Sequence, residues 1–313
     1  MTKRTKDADD ISKDKRKFIY ALLAIIIVLV PTLYFYSIAT TKPQPPRAAI
    51  VDQLGSSKLG AATSHQNLTF IESAENLLQE RFSAVDYYSD NATVEAYINL
   101  ASLGYRLIVW RGHSAIDPSG YVALASTDKY GLKNYDTYLE NDQLALCNIT
   151  GDPTLYFGIT PKFIEQVMSG KFADTVIFLM SCNGLNQEYL KTAQAFQDKG
   201  AKAVISWDNW ISSFDNDGTA DALLRYLINE NYTIGEAVSQ IPPLSPDYGW
   251  AHLKYYPEEP ETSNYHIPDY RQGVAQTVSI ATLPVLKKGR ERSPALEMRG
   301  TWISQTPEVP RNS

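Results

Sequence analysis

Two reactive side chains close two segments of the same cadence. Leu107-Ile108-Val109-Trp110-Arg111-Gly112-His113 and Val176-Ile177-Phe178-Leu179-Met180-Ser181-Cys182 each run four apolar residues, a spacer, a small residue and then an imidazole or a thiol. A short apolar run bounded by turn signals reads as a fully buried parallel strand, and open α/β sheets gather functional groups at the carboxyl ends of such strands. Neighbouring strands lie about 4.8 Å apart, so equal spacing puts imidazole and thiol at one height, where the base can draw the thiol proton. The chemistry predicted is attack by Cys182 with His113 as base and proton donor.

Several plainer readings compete. Cys147 is the only other cysteine, and a Cys147 to Cys182 disulfide would abolish the nucleophile. Cys182 alone also reads as a small buried hydrophobe at a strand end. His65, His252 and His266 are scattered without metal-ligand spacing, so no metal and no cofactor are assigned. Ser181 lacks the glycine that a G-x-S-x-G elbow needs where Leu179 stands. Asp52 and Asp208 follow strands. Asp208, beside Trp207 and Trp210, suits a cationic substrate side chain, against the plainer role of capping the next turn.

Strands alternate with helices around these residues, which implies a parallel sheet. Strands are expected at 48–51, 84–88, 107–113, 176–182 and 201–207, and helices at 68–82, 93–103 (capped by Thr93), 161–168, 187–198, 220–228 and 234–239. A hairpin is expected near 121–125. The start of the helix over 187–198, led in by Asn183 and Gly184, would favour the Cys182 thiolate.

The first seventeen residues carry seven basic and four acidic side chains, and 18–40 carry no charge. That pattern predicts a transmembrane helix over 18–40 after a cytoplasmic tail, 1–17. By the positive-inside rule the remainder lies outside, in a single-pass cell-membrane protein. A proline-rich linker, 41–46, leads to one α/β domain, 47–261, and a largely irregular tail, 262–313. The net charge is −6, or −9 beyond the tail, and nothing in it suggests nucleic acid as a partner. Sequons at Asn67, Asn91, Asn148 and Asn231 fit an external location.

The pair LIVWRGHSA and VIFLMSCNG, histidine before cysteine, resembles the caspase-like cysteine peptidases, the group of gingipains, legumains, separases and CHAT domains. The resemblance spans about 47–239. It implies a caspase/haemoglobinase-like fold: a mainly parallel sheet with helices on both faces, here preceded by the N-terminal transmembrane helix. It also implies His113 and Cys182 as catalytic dyad, backbone amides of Ser114 and Cys182 as oxyanion donors, and Gly184 as the glycine often found two residues past the cysteine. Ser114 replaces the usual glycine after the histidine, and Met180 replaces an acidic residue that many members use for basic substrates. The function expected is a membrane-anchored, extracytoplasmic cysteine endopeptidase acting on peptide or protein substrates, with Trp207 and Asp208 as substrate contacts. The alternative, favoured by Ser114 and Met180, is a catalytically inactive ectodomain that binds a peptide or protein partner.

Overall fold

The computed structural model describes residues 46–244 and 249–270, together with 20, 25–27 and 29. The elements begin with β1 (Arg47–Asp52), α1 (Leu68–Gln79), β2 (Ala84–Tyr88), α2 (Val94–Asn99), β3 (Tyr105–Arg111), β4 (Ser114–Asp117), β5 (Tyr121–Lys129) and α3 (Asp136–Glu140). They continue with β6 (Leu144–Asn148), β7 (Leu155–Ile159), α4 (Pro161–Gln166), β8 (Thr175–Met180), α5 (Lys191–Asp198) and β9 (Ala201–Trp207). The last are α6 (Ser213–Ile228), α7 (Ile234–Ser239), β10 (Leu253–Tyr256) and α8 (Pro260–Ser263).

β1, β3, β8 and β9 are buried along nearly their whole length, and their continuous apolar runs are what a sheet covered on both faces requires. They form the centre of a six-stranded sheet in the order β10-β9-β8-β3-β1-β2. Alternate side chains face opposite ways. Ile50, Val109, Phe178 and Ile205 pack with α1, α6 and α7. Val51, Ile108, Ile177 and Val204 pack with α2, α4, α5 and the apolar side of a second sheet. That second sheet, β4-β5-β7-β6, is antiparallel throughout.

The expectation of one mainly parallel sheet therefore needs correction. The main sheet is mixed, because β10 returns antiparallel against β9. The second sheet occupies the stretch that gave only a hairpin signal: β4 and β6 are short and half-exposed, without a clean alternation to announce them. No helix among the described residues is long and apolar enough to cross a membrane, and the expected transmembrane helix over 18–40 falls almost wholly outside them. Residues 1–19, 21–24, 28, 30–45, 245–248 and 271–313 lie outside the described residues, and with them the cytoplasmic tail, most of the 18–40 segment and most of the linker.

The domain also runs past 261. Arg81 donates to the Ile267 carbonyl, Ile267 is buried, and the Tyr270 ring lies 5.6 Å from that of Phe82. Only Gly112 and His113 separate β3 from β4, so the chain crosses from one sheet to the other at the predicted histidine.

Candidate active site

β3 and β8 are neighbours, paired in parallel from Leu107↔Val176 to Arg111↔Met180. His113 and Cys182 each stand two residues beyond the last rung. The Gly112 amide extends the pairing to the Met180 carbonyl at 3.4 Å. The Ser114 hydroxyl then donates to the Cys182 carbonyl at 2.7 Å, so the two strand ends meet in a direct bond.

The His113 ring is seated by a loop, residues 53–67, that its own sequence does not announce. His113 Nε2 lies 2.9 Å from the Thr63 carbonyl. A carbonyl only accepts, so Nε2 carries the proton and, in the neutral ring, Nδ1 is the acceptor. The His113 amide donates to Gln53 Oε1 at 3.0 Å. Burial lowers the His113 pKa to about 4; the Thr63 bond opposes this, and His65 and Arg111 add to it. At neutral pH the imidazole is an uncharged base.

Two buried clamps hold that loop. Arg111 donates to both carboxylate oxygens of Asp217 (2.6 and 2.8 Å), to Asp52 (2.7 Å) and to the His65 carbonyl (2.7 Å). Asn67 completes this cluster by donating its side-chain amide to Asp217, which commits one of the four sequon asparagines to an internal bond. On the other side Asp152 accepts from the Gly60 amide, the Thr63 hydroxyl and the Tyr156 hydroxyl. Burial opposes ionisation of Asp152, but hydrogen bonds from Thr154, Tyr156 and Thr63 outweigh it and hold the carboxyl well below its ordinary range.

Cys182 is half-buried. Its Sγ lies 3.5 Å from both the carbonyl and the amide nitrogen of Ile211, in the loop after β9. Burial raises the thiol pKa, against a smaller lowering by the Ile211 amide. The following helix starts only at Lys191, nine residues on, so the expected helix terminus does not bear on the sulfur. The resting pair is thus a neutral thiol and a neutral imidazole, which suits proton transfer during attack rather than a stored ion pair. The S–H is directed at the Ile211 carbonyl.

Backbone groups near the two strand ends are oriented by the ladders. Ala125 donates to the His113 carbonyl and Ser114 stands opposite Leu124, so the alternation of an antiparallel ladder turns the Ser114 N–H away from β5 toward the open edge. Serine is unstrained there: the non-glycine residues with positive φ among the described residues are Asp142, Asp174, Asn183 and Asn231. Asn183, immediately after Cys182, has φ of 58°. Ser181 Oγ and Asn183 Nδ2, one on either side of Cys182, are buried without a hydrogen-bond partner.

Trp207 and Asp208, at the end of β9, accept at their carbonyls from Leu185 and Asn186, just past Cys182. Trp207 is fully buried and donates its indole N–H to Asn216. Asp208 pairs with Lys254 at 3.0 Å and accepts from the His252 amide, fastening β10 to β9. Both cysteines are free; Cys147 packs in β6 against Gly158, where burial pushes its thiol up to about 12. Among the described residues no group of three or more His, Cys, Asp or Glu is placed to hold a metal ion. A groove of about 710 Å³ between α1 and α6 shares Asn67 and Asp217 with the Arg111 cluster and is walled by Phe70, Phe214 and Tyr226. No protein-family model matches the chain, and no curated protein matches it significantly.

Proposed function

We propose that the chain is a cysteine endopeptidase of caspase-like type. Cys182 Sγ attacks the scissile carbonyl carbon as its proton passes to His113 Nδ1, and the carbonyl oxygen, now an oxyanion, faces the amides of Ser114 and Cys182. His113 returns that proton to the leaving amine as the C–N bond breaks, leaving a thioester on Cys182. Water, deprotonated by the again-neutral His113, attacks the thioester, and the thiol and the carboxylic acid product separate. The observation that supports this reading is the in-register pairing of β3 with β8, beyond which His113 and Cys182 follow at the same offset, with the Thr63 carbonyl selecting the histidine tautomer.

The test treats the full chain with a peptidyl acyloxymethyl ketone and with a peptide library. The expected result is a single adduct on Cys182 by intact and peptide mass spectrometry, cleavage of library members, and loss of both in His113→Ala. Neither adduct nor cleavage across the library would refute the assignment. A second reading, a binding domain without turnover, is favoured by the raised thiol pKa and the contact of Sγ with Ile211. It predicts saturable peptide binding that Cys182→Ala leaves intact, with no product formed by the unsubstituted chain.

A further inference from the structure

The Ser114 hydroxyl has no counterpart in a glycine, and its one acceptor is the carbonyl of the proposed nucleophile. The peptide linking Cys182 to Asn183 is held at both ends: its carbonyl accepts from Ser114 Oγ at 2.7 Å, and its N–H donates to the Asn209 carbonyl at 3.0 Å. Immediately beyond lies Asn183 in the left-handed region, a conformation that persists in a non-glycine residue only when its surroundings over-determine it. Both proposed oxyanion amides sit on the two segments that this bond ties, Ser114 on one and Cys182 on the other. Gly112 and the β4 pairing locate Ser114, and the hydroxyl ties it directly to the peptide that follows Cys182.

We infer that Ser114 is a positioning residue whose hydroxyl latches the histidine-bearing strand end to the Cys182–Asn183 peptide, so that the two oxyanion amides converge on one point. This deepens the proposed peptidase reading and rests on it. The serine is then a device that substitutes a side-chain tie for the tight turn a glycine would make. Its loss separates the amides by a small amount without touching thiol or imidazole, so it acts on kcat and leaves substrate binding alone.

The experiment compares Ser114→Ala, Ser114→Gly and Ser114→Thr in the full chain by steady-state kinetics, thermal melting and hydrogen exchange of peptides covering 180–186. Alanine and glycine are expected to lower kcat roughly tenfold at unchanged KM, less than the ~10²–10³ lost when an oxyanion donor itself is removed. Exchange over 180–186 speeds up, and threonine, which keeps the hydroxyl, restores both within about threefold. The latch is refuted if Ser114→Ala exchanges and turns over like the unsubstituted chain, if threonine is as impaired as alanine, or if kcat and KM change together with a general fall in Tm. Should the unsubstituted chain cleave nothing while Ser114→Ala still speeds local exchange and threonine restores it, the hydroxyl tie stands and the peptidase reading fails.

Discussion

At the scale of single residues, the proposed dyad rests in charge states that differ from a thiolate and an imidazolium. His113 is held near 4 chiefly by burial, so it is competent as a base well below the pH at which an ordinary histidine would protonate. The acid limb of kcat/KM is therefore expected between pH 4 and 5, and a midpoint at 6.5 in a pH-rate profile would contradict the buried, Thr63-bound ring. Cys182→Ala is expected to remove turnover and to shift Tm by no more than a few degrees, because a half-buried sulfur at the sheet rim contributes little packing. A double variant with His113→Ala should be no slower than either single one, since groups acting as a unit are not additive. Both residues were legible because each ends a buried apolar run. Thr63, Gln53 and Ile211 were not, because Thr63 and Ile211 act through backbone atoms, which carry no signature in a side-chain pattern, and Gln53 is a common polar residue just past a strand.

At the scale of elements, close approach rather than composition holds the crevice together. A Cβ on Gly184 would lie 2.3 Å from Ser206 Oγ and 2.9 Å from Ser206 Cβ, and that hydroxyl is already committed to the Leu179 carbonyl at 2.7 Å. Gly184→Ala is expected to push the end of β8 off β9, costing about 1–3 kcal/mol in chemical denaturation and most of the turnover. Wild-type stability in that variant would show that the loop has slack the geometry denies. Arg111, read in the sequence only as a spacer after the apolar run of β3, is a buried ion-pair partner whose acids are far apart in the chain: Asp52 lies on β1, while Asp217 lies more than a hundred residues on, in α6. Arg111→Met leaves two buried carboxylates uncompensated and should destabilise by about 3–5 kcal/mol, read from the same denaturation curves. The strands of the main sheet were readable because burial on both faces leaves continuous apolar runs. The second sheet was not, since two of its four strands are short and partly exposed.

At the scale of the whole molecule, the two sheets join at His113, and the burial that makes the site also makes the fold sensitive to acid. The folded His113 pKa of about 4 lies below the 6.5 of an unfolded histidine. As pH falls, the unfolded chain binds this proton first. The stabilisation is complete above about 6.5 and is lost progressively down to about 4, on the order of 3 kcal/mol in all. His65, also lowered by burial and by Arg111, adds a smaller share of the same sign. The Asp152 clamp behaves differently: a carboxyl held below its ordinary 3.8 contributes above that value and is lost only beneath it. Two acid limbs should therefore appear, an early one from histidine and a late one from carboxylates. His113→Gln keeps a side-chain N–H for the Thr63 carbonyl but cannot take up a proton at these pH values, so it should flatten most of the early limb and leave the late one unchanged. Urea denaturation at pH 7.5, 5.5 and 4 measures this directly. Parallel loss of stability in the unsubstituted chain and His113→Gln would mean that some other group governs the early limb and that His113 is not held neutral in the fold.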